Sequence, residues 1–212
     1  MNLANKLTIG RIIAIPFFIL FMFMGNIYTR VAALLIFILA ALSDVYDGIV
    51  ARHREEVTNF GKFMDPLADK LIVSAAFISF VQLKELSIPA WMVILVISRE
   101  FIITGLRSVA ASRGTIIPAS LSGKFKTTSQ MVVIITILII LIANAVLKNY
   151  WQTTLLEWQT FLGWRRVFGY ILSRAPYWLM LLVTILTVIS GFNYIFKNKH
   201  ILFEEIRNKA AT

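Results

Sequence analysis

Cysteine is absent from this chain, which excludes disulfides, thiolate metal ligands and a cysteine nucleophile, and leaves oxygen as the main donor for any metal. Charge is scarce as well. Only 15% of residues are charged and 58% are apolar, where a soluble domain is about one quarter charged. With a mean hydropathy of +0.79, the chain reads as an integral membrane protein. His53 and His200 have no second histidine at ligand spacing and read as solvated surface residues. Repeats, low-complexity tracts and linkers are missing too, which points to one domain over residues 1–212. Acid is rarer than base, 11 Asp and Glu against 21 Lys and Arg, for a formal charge of +10. That surplus fits contact with anionic lipid headgroups or phosphorylated ligands, and equally fits ordinary basic loops of a membrane protein. No nucleic-acid partner is expected.

What is present in quantity is long apolar runs. A spanning helix needs about 20 mostly apolar residues, and six runs qualify as spans, at 11–25, 30–51, 63–83, 89–110, 127–147 and 176–196. The fold expected is therefore an all-α membrane protein, a six-helix transmembrane bundle preceded by an interfacial amphipathic segment at 1–10. Gly25-Asn26 and Ser87-Ile88-Pro89 supply turns, and Pro89 and Pro176 suit first turns of helices. The connection 148–175 carries Tyr150, Trp151, Trp158, Trp164 and Tyr170 among leucines, the composition of an aromatic belt, and is expected to form an interfacial helix or a docking surface. On one side of six spans the loops and termini hold thirteen lysines and arginines, on the other six. The positive-inside rule then puts both termini in the cytoplasm.

All four aspartates fall between positions 44 and 69, inside this apolar context. A charged side chain at the bilayer centre costs at least about 2.5 to 3.5 kcal/mol on insertion scales, so four together call for compensation, most simply by bound cations. Asp44, Asp47, Gly48 and Ala51 share one helical stripe by their spacing, acidic at one end and nearly free of side chains at the other. Asp65 and Asp69, four apart, share a face of the next span. Two such faces on adjacent antiparallel helices offer oxygen ligands for one or two hard divalent cations, Mg²⁺ or Mn²⁺. Gly48 and Ala51 are equally what close helix packing in a membrane uses.

The pattern Asp44-x2-Asp47-Gly48-x2-Ala51-Arg52-x8-Gly61-x3-Asp65-x3-Asp69 resembles, position for position, the signature of the CDP-alcohol phosphatidyltransferases. Further stretches, among them Asn2-Leu3 with Asn5, Thr8 and Arg11, Asp65-Pro66-Leu67-Ala68-Asp69-Lys70, Arg99-Glu100-Phe101 with Arg107, and Gly123-Lys124-x-Lys126-Thr127, look like the bacterial phosphatidylglycerophosphate synthase branch of that family. The likeness is close over about 1–130 and is carried beyond that by the hydrophobic pattern. It implies CDP-diacylglycerol as donor, glycerol 3-phosphate as acceptor, a pair of divalent cations, a homodimer, and a multi-pass place in a bacterial inner membrane with a cytoplasmic active site.

By that resemblance Asp44, Asp47, Asp65 and Asp69 hold metal, and Asp69 also acts as general base on the acceptor hydroxyl. Gly48, Ala51, Arg52, Thr58 and Gly61 border the nucleotide, with Asn5 and Thr8 either reaching the cytidine or capping the first helix. For the acceptor phosphate the sequence offers Arg107, Arg113, Lys124 and Lys126, set against the basic bias that any cytoplasmic loop would have. Arg99 and Glu100, deeper in the fourth span, suit a structural ion pair. Serine, inositol phosphate or phosphatidylglycerol as acceptor would be served by the same aspartates. A divalent-cation transporter would bury carboxylates too, but has no use for Gly48, Ala51 and Arg52 at their spacing, and a non-catalytic scaffold would tolerate Asp69→Asn.

Overall fold

A computed structural model of the chain describes residues 3–54, 59–112 and 121–198. Among these residues the structure is entirely helical. Six long helices follow one another: α1 Leu3–Met24, α2 Ile27–Arg54, α3 Asn59–Gln82, α4 Ala90–Ser112, α5 Leu121–Tyr150 and α6 Trp164–Lys197. Single turns of 3-10 helix sit at Lys84–Leu86 and Glu157–Thr160. Each expected span falls in one of these helices to within one residue at its ends. Three stretches among the described residues are long and apolar enough to cross a membrane, Leu7–Met24, Phe125–Tyr150 and Trp164–Lys197, and shorter apolar stretches cover Ile27–Ser43 and Lys70–Gln82.

The turns form where the sequence permits them. Gly25 takes φ +72°, ending α1 in the left-handed region that glycine enters freely. Asn26 then opens α2, its side-chain oxygen accepting the Thr29 amide at 2.8 Å. Ser87 turns the chain at φ 52° before Pro89, whose carbonyl accepts the Met92 amide as α4 begins.

Two expectations about element boundaries change. Residues 3–10 are the opening turns of α1 itself, continuous with the apolar run through Pro16, so the 1–10 boundary falls inside a helix. The 148–175 connection is not one helix either. It divides among the end of α5, the 157–160 turn and the first turns of α6, and Pro176 lies well inside α6 rather than at its start. A proline costs a helix one backbone bond, but neighbouring helices relieve that cost in a membrane-type bundle. Gly163 at φ +77° provides the reversal. Gly169 lets α6 lie against the 157–160 turn, since a Cβ there would sit 2.6 Å from the Trp158 Cβ.

Side chains from all six helices meet in one core, with Phe18 and Met22 of α1, Phe37 of α2, Phe77 and Phe80 of α3, Met92 of α4, Ile134 to Leu141 of α5, and Met180 of α6. Phe18 and Phe37 approach at 6.2 Å between ring centroids, tying α1 to α2. The outer faces are just as apolar: Phe17, Leu39, Ile94, Val132, Ile139 and Ile189 are all exposed. Apolar groups inside and outside alike are what a bundle in lipid needs, because packing rather than water exclusion holds its helices together. Gly25, Lys84 and Lys148 come together at one end of the bundle, and Lys70, Glu100 and Lys126 at the other, each end with its own polar chemistry.

Candidate active site

Helix α2 runs unbroken through Asp44 and Asp47, and α3 through Asp65 and Asp69. Their helical backbones keep each pair on one face, as the spacing requires. Gly48, Ala51 and Arg52 belong to α2 and Gly61 to α3. The side chains of the four aspartates, Arg52, Asn5 and Lys124 lie outside the described part of the structure, as do Thr58 and Arg113 altogether. Asn5 and Thr8 both fall inside α1, so neither caps its start, and Thr8 is fully buried.

Beside the aspartates opens a cleft of about 380 Å³ built by four helices. Lys70 comes from α3, Arg99, Thr104 and Arg107 from α4, Lys126 from α5 and Tyr194 from α6. Lys70 is the residue directly after Asp69 on α3, so cleft and aspartate face adjoin. Among the described residues, four cations and the carboxylate of Glu100 line it. Glu100, 8% exposed, is the hub: it pairs with Lys126, stands 3.4 Å from Lys70 Nζ and 3.6 Å from an Arg99 Nη, and accepts from Gln130 Nε2 at 3.3 Å. Among the described residues one buried carboxylate thus serves three cations in a low-dielectric place, a charge pattern that suits an anionic ligand.

Two polar atoms of the cleft's residues have no partner among the described residues. Arg99 gives one Nη to Ser190 Oγ at 3.0 Å, yet its Nε is buried with no acceptor there, and the buried Tyr194 hydroxyl has none either. An unpaired buried donor costs about 1 to 3 kcal/mol. Such donors, left facing a cleft, are poised for a ligand's oxygens. Arg107 is exposed at the rim and has no carboxylate partner among the described residues.

Of the acceptor-phosphate candidates, the structure therefore brings Arg107 and Lys126 together. Lys126 is not a free cation, however, because Glu100 holds it in the buried wall of the cleft. Arg99 and Glu100 do form the expected ion pair, but as part of a larger network. Ser129 donates to the Phe125 carbonyl of its own helix at 2.8 Å. Sequence reasoning missed Lys70 and Tyr194. The signal for Tyr194 was there: Thr187, Ser190, Gly191 and Tyr194 form a small and polar stripe at helical spacing in an apolar run, and all four are buried. Gly191 matters for this reason. A Cβ there would come within 2.9 Å of Arg99 Cγ, so its absence lets Arg99 lie across α6.

Comparison with known proteins agrees with this arrangement. The profile of the CDP-alcohol phosphatidyltransferase family matches residues 1–164. The chain is 45% identical over 150 residues to the CDP-diacylglycerol–glycerol-3-phosphate 3-phosphatidyltransferase of Bacillus subtilis, covering 65% of this chain and 77% of that protein. It is 42% identical over 136 residues to a probable phosphatidylglycerophosphate synthase of Mycobacterium tuberculosis, covering 63% and 64%. A Rickettsia typhi protein with the same name as the Bacillus one is 40% identical over 130 residues, covering 61% and 72%. With the signature aspartates on two consecutive helices and a basic cleft beside them, this chain belongs to the CDP-alcohol phosphatidyltransferase family.

Proposed function

We propose that this chain transfers the phosphatidyl group of CDP-diacylglycerol to glycerol 3-phosphate, giving phosphatidylglycerol phosphate and CMP. The observation that carries this reading is the cleft adjoining Asp69, in which Lys70, Arg99, Arg107 and Lys126 outnumber Glu100. A phosphomonoester acceptor needs such a surplus of converging cations; serine, with its own ammonium group, does not. Arg107 and Arg99 bind the acceptor phosphate, the Tyr194 hydroxyl donates to it, and Lys126 and Lys70 are held in place by Glu100. Lys124 and Arg113 are further candidates for the same phosphate on the sequence alone.

The four carboxylates fit hard divalent cations: two pairs of oxygen donors, each pair on one face of a continuous helix. Bound by Asp44, Asp47, Asp65 and Asp69, Mg²⁺ or Mn²⁺ would neutralise the donor diphosphate and stabilise the leaving CMP. Asp69 takes the proton from the acceptor hydroxyl, whose oxygen attacks the phosphorus that bears diacylglycerol, and the bond from that phosphorus to CMP breaks. Gly48 and Ala51 leave room for the cytidine against the α2 backbone, and Arg52, Thr58, Gly61, Asn5 and Thr8 surround the nucleotide. The six helices all span the bilayer, with both termini and this site on the cytoplasmic side, and the enzyme works as a homodimer.

An acceptor panel tests the assignment. Purified protein with CDP-diacylglycerol and Mg²⁺ or Mn²⁺ is expected to release CMP on addition of glycerol 3-phosphate, and to stop when the metal is chelated. Release driven instead by serine, inositol phosphate or phosphatidylglycerol would overturn it.

A further inference from the structure

The end of the bundle away from the aspartates has its own pocket. Lys126 and Lys148 mark the two ends of α5, about 33 Å apart along the axis at about 1.5 Å per residue. Around Lys148 lie two adjoining hollows of about 280 and 290 Å³, which share Lys84, Glu85, Asn144 and Lys148 as their common wall. The first is mainly apolar, with Leu141, Leu155, Leu172 and Pro176 in its lining. The second is polar and reaches Arg30 and Gln82. Together they make an amphipathic groove.

The charges in that groove are not balanced. Glu85 gives one oxygen to Arg30 and the other to the Asn144 amide, and Asn144 in turn accepts the Leu155 amide at 2.9 Å. Glu157, the other acidic residue of these connections, accepts the Thr154 amide at 3.2 Å. Lys84 and Lys148 are thus left exposed and without a carboxylate partner among the described residues. Arg30 is buried, donates to the Leu141 carbonyl at 2.6 Å, and has an Nε without an acceptor among the described residues.

The setting is that of a bilayer interface. Trp151 stacks on Trp158 at 5.6 Å, Trp164 meets Trp158 edge-on at 5.7 Å, and Tyr150, Leu162 and Tyr170 stand exposed around them. Tryptophan and tyrosine collect at headgroup level. The apolar hollow shares Leu155 and Leu172 with the cluster packed on Trp158.

We propose that this groove binds one anionic phospholipid on the face opposite the active site, its headgroup phosphate between Lys84 and Lys148 and an acyl chain in the hollow beside Leu155. Both lysines are needed because a zwitterionic lipid gains nothing net from a surplus of cations, whereas a net negative headgroup gains from each. Nothing at this end depends on which alcohol the active site accepts.

The test is lipid retention by the full chain in a neutral detergent, measured by native mass spectrometry after exposure to equimolar phosphatidylglycerol and phosphatidylcholine of the same chains. Wild type is expected to keep one more phosphatidylglycerol than the double variant Lys84→Ala/Lys148→Ala, whose preference for the anionic lipid falls by about tenfold. The variant's CMP release in the same detergent stays at the wild-type rate, as both lysines are exposed and remote from the cleft. Equal retention by the two proteins overturns the proposal. So does displacement of the extra lipid by millimolar inorganic phosphate, which would make the groove a site for free anions. Lysine-dependent retention of phosphatidylcholine to the same degree would overturn it too.

Discussion

The two ends of this bundle each pair a glutamate with an arginine, an exposed Glu85 at one and a buried Glu100 at the other, and they use it differently. At one end Glu85 ties elements together: Arg30 bonds to Glu85 and to the Leu141 carbonyl, joining α2, the 84–86 turn and α5, and Asn144 takes the other Glu85 oxygen. At the other, Glu100 faces Lys70, Arg99 and Lys126 at once, and among the described residues Arg99 Nε and the Tyr194 hydroxyl have no hydrogen-bond partner. The first glutamate serves one cation; the second is shared among three. A buried ion pair is by itself weak evidence of function. Its unmet valence is the better guide.

That contrast can be broken or sharpened experimentally. The largest effect is expected at Asp69. Asp69→Asn removes the proposed base, and CMP release should fall by about 10³-fold while the heat-inactivation midpoint in detergent holds; retained activity would separate the cleft from the chemistry. Next comes Arg30→Ala, which strands Glu85 and should cost about 3 kcal/mol of stability, read as a lower midpoint with the KM for glycerol 3-phosphate unchanged. A raised KM with normal stability would mean that the far end is no mere tie. Arg107→Ala should do the reverse, raising that KM by about 30-fold, equivalent to about 2 kcal/mol, with kcat and stability close to wild type. Smallest is Tyr194→Phe, where loss of one hydroxyl donor should raise the acceptor KM by about fivefold, near 1 kcal/mol. If the KM is unmoved, Tyr194 is packing for Arg99 and no more.

How far these features could be read in advance depended on how local they are. Asp44, Asp47 and Gly48, or Asp65 and Asp69, are related by three or four positions on one helix, so their spacing alone puts them on a common face. The turns at Gly25 and Ser87 announced themselves through residues that tolerate them. The cleft was legible only in fragments. Arg107 and Lys126 stood out as basic residues near a loop, but Lys70 is masked by its place beside Asp69, and Tyr194 lies where the resemblance had thinned to a hydrophobic pattern. Pro176 misled for a related reason: a proline suits a first turn, yet α6 extends a dozen residues before it because Gly169 docks those turns on Trp158.

From sequence alone came the class of the protein, an all-helical chain made for lipid, and the grouping of its aspartates into two same-face pairs, since apolar run length and short-range helical spacing fix both. Tertiary structure alone decided which charges meet. Lys126 pairs with Glu100 across 26 positions, Arg30 with Glu85 across 55, and Arg99 reaches Ser190 across 91. No periodicity relates residues so far apart. Their meeting depends on which faces of α2 to α6 pack together, on a missing side chain at Gly191 that admits Arg99, and on the low dielectric of the interior, where each cation must find an acceptor or wait for a ligand to bring one.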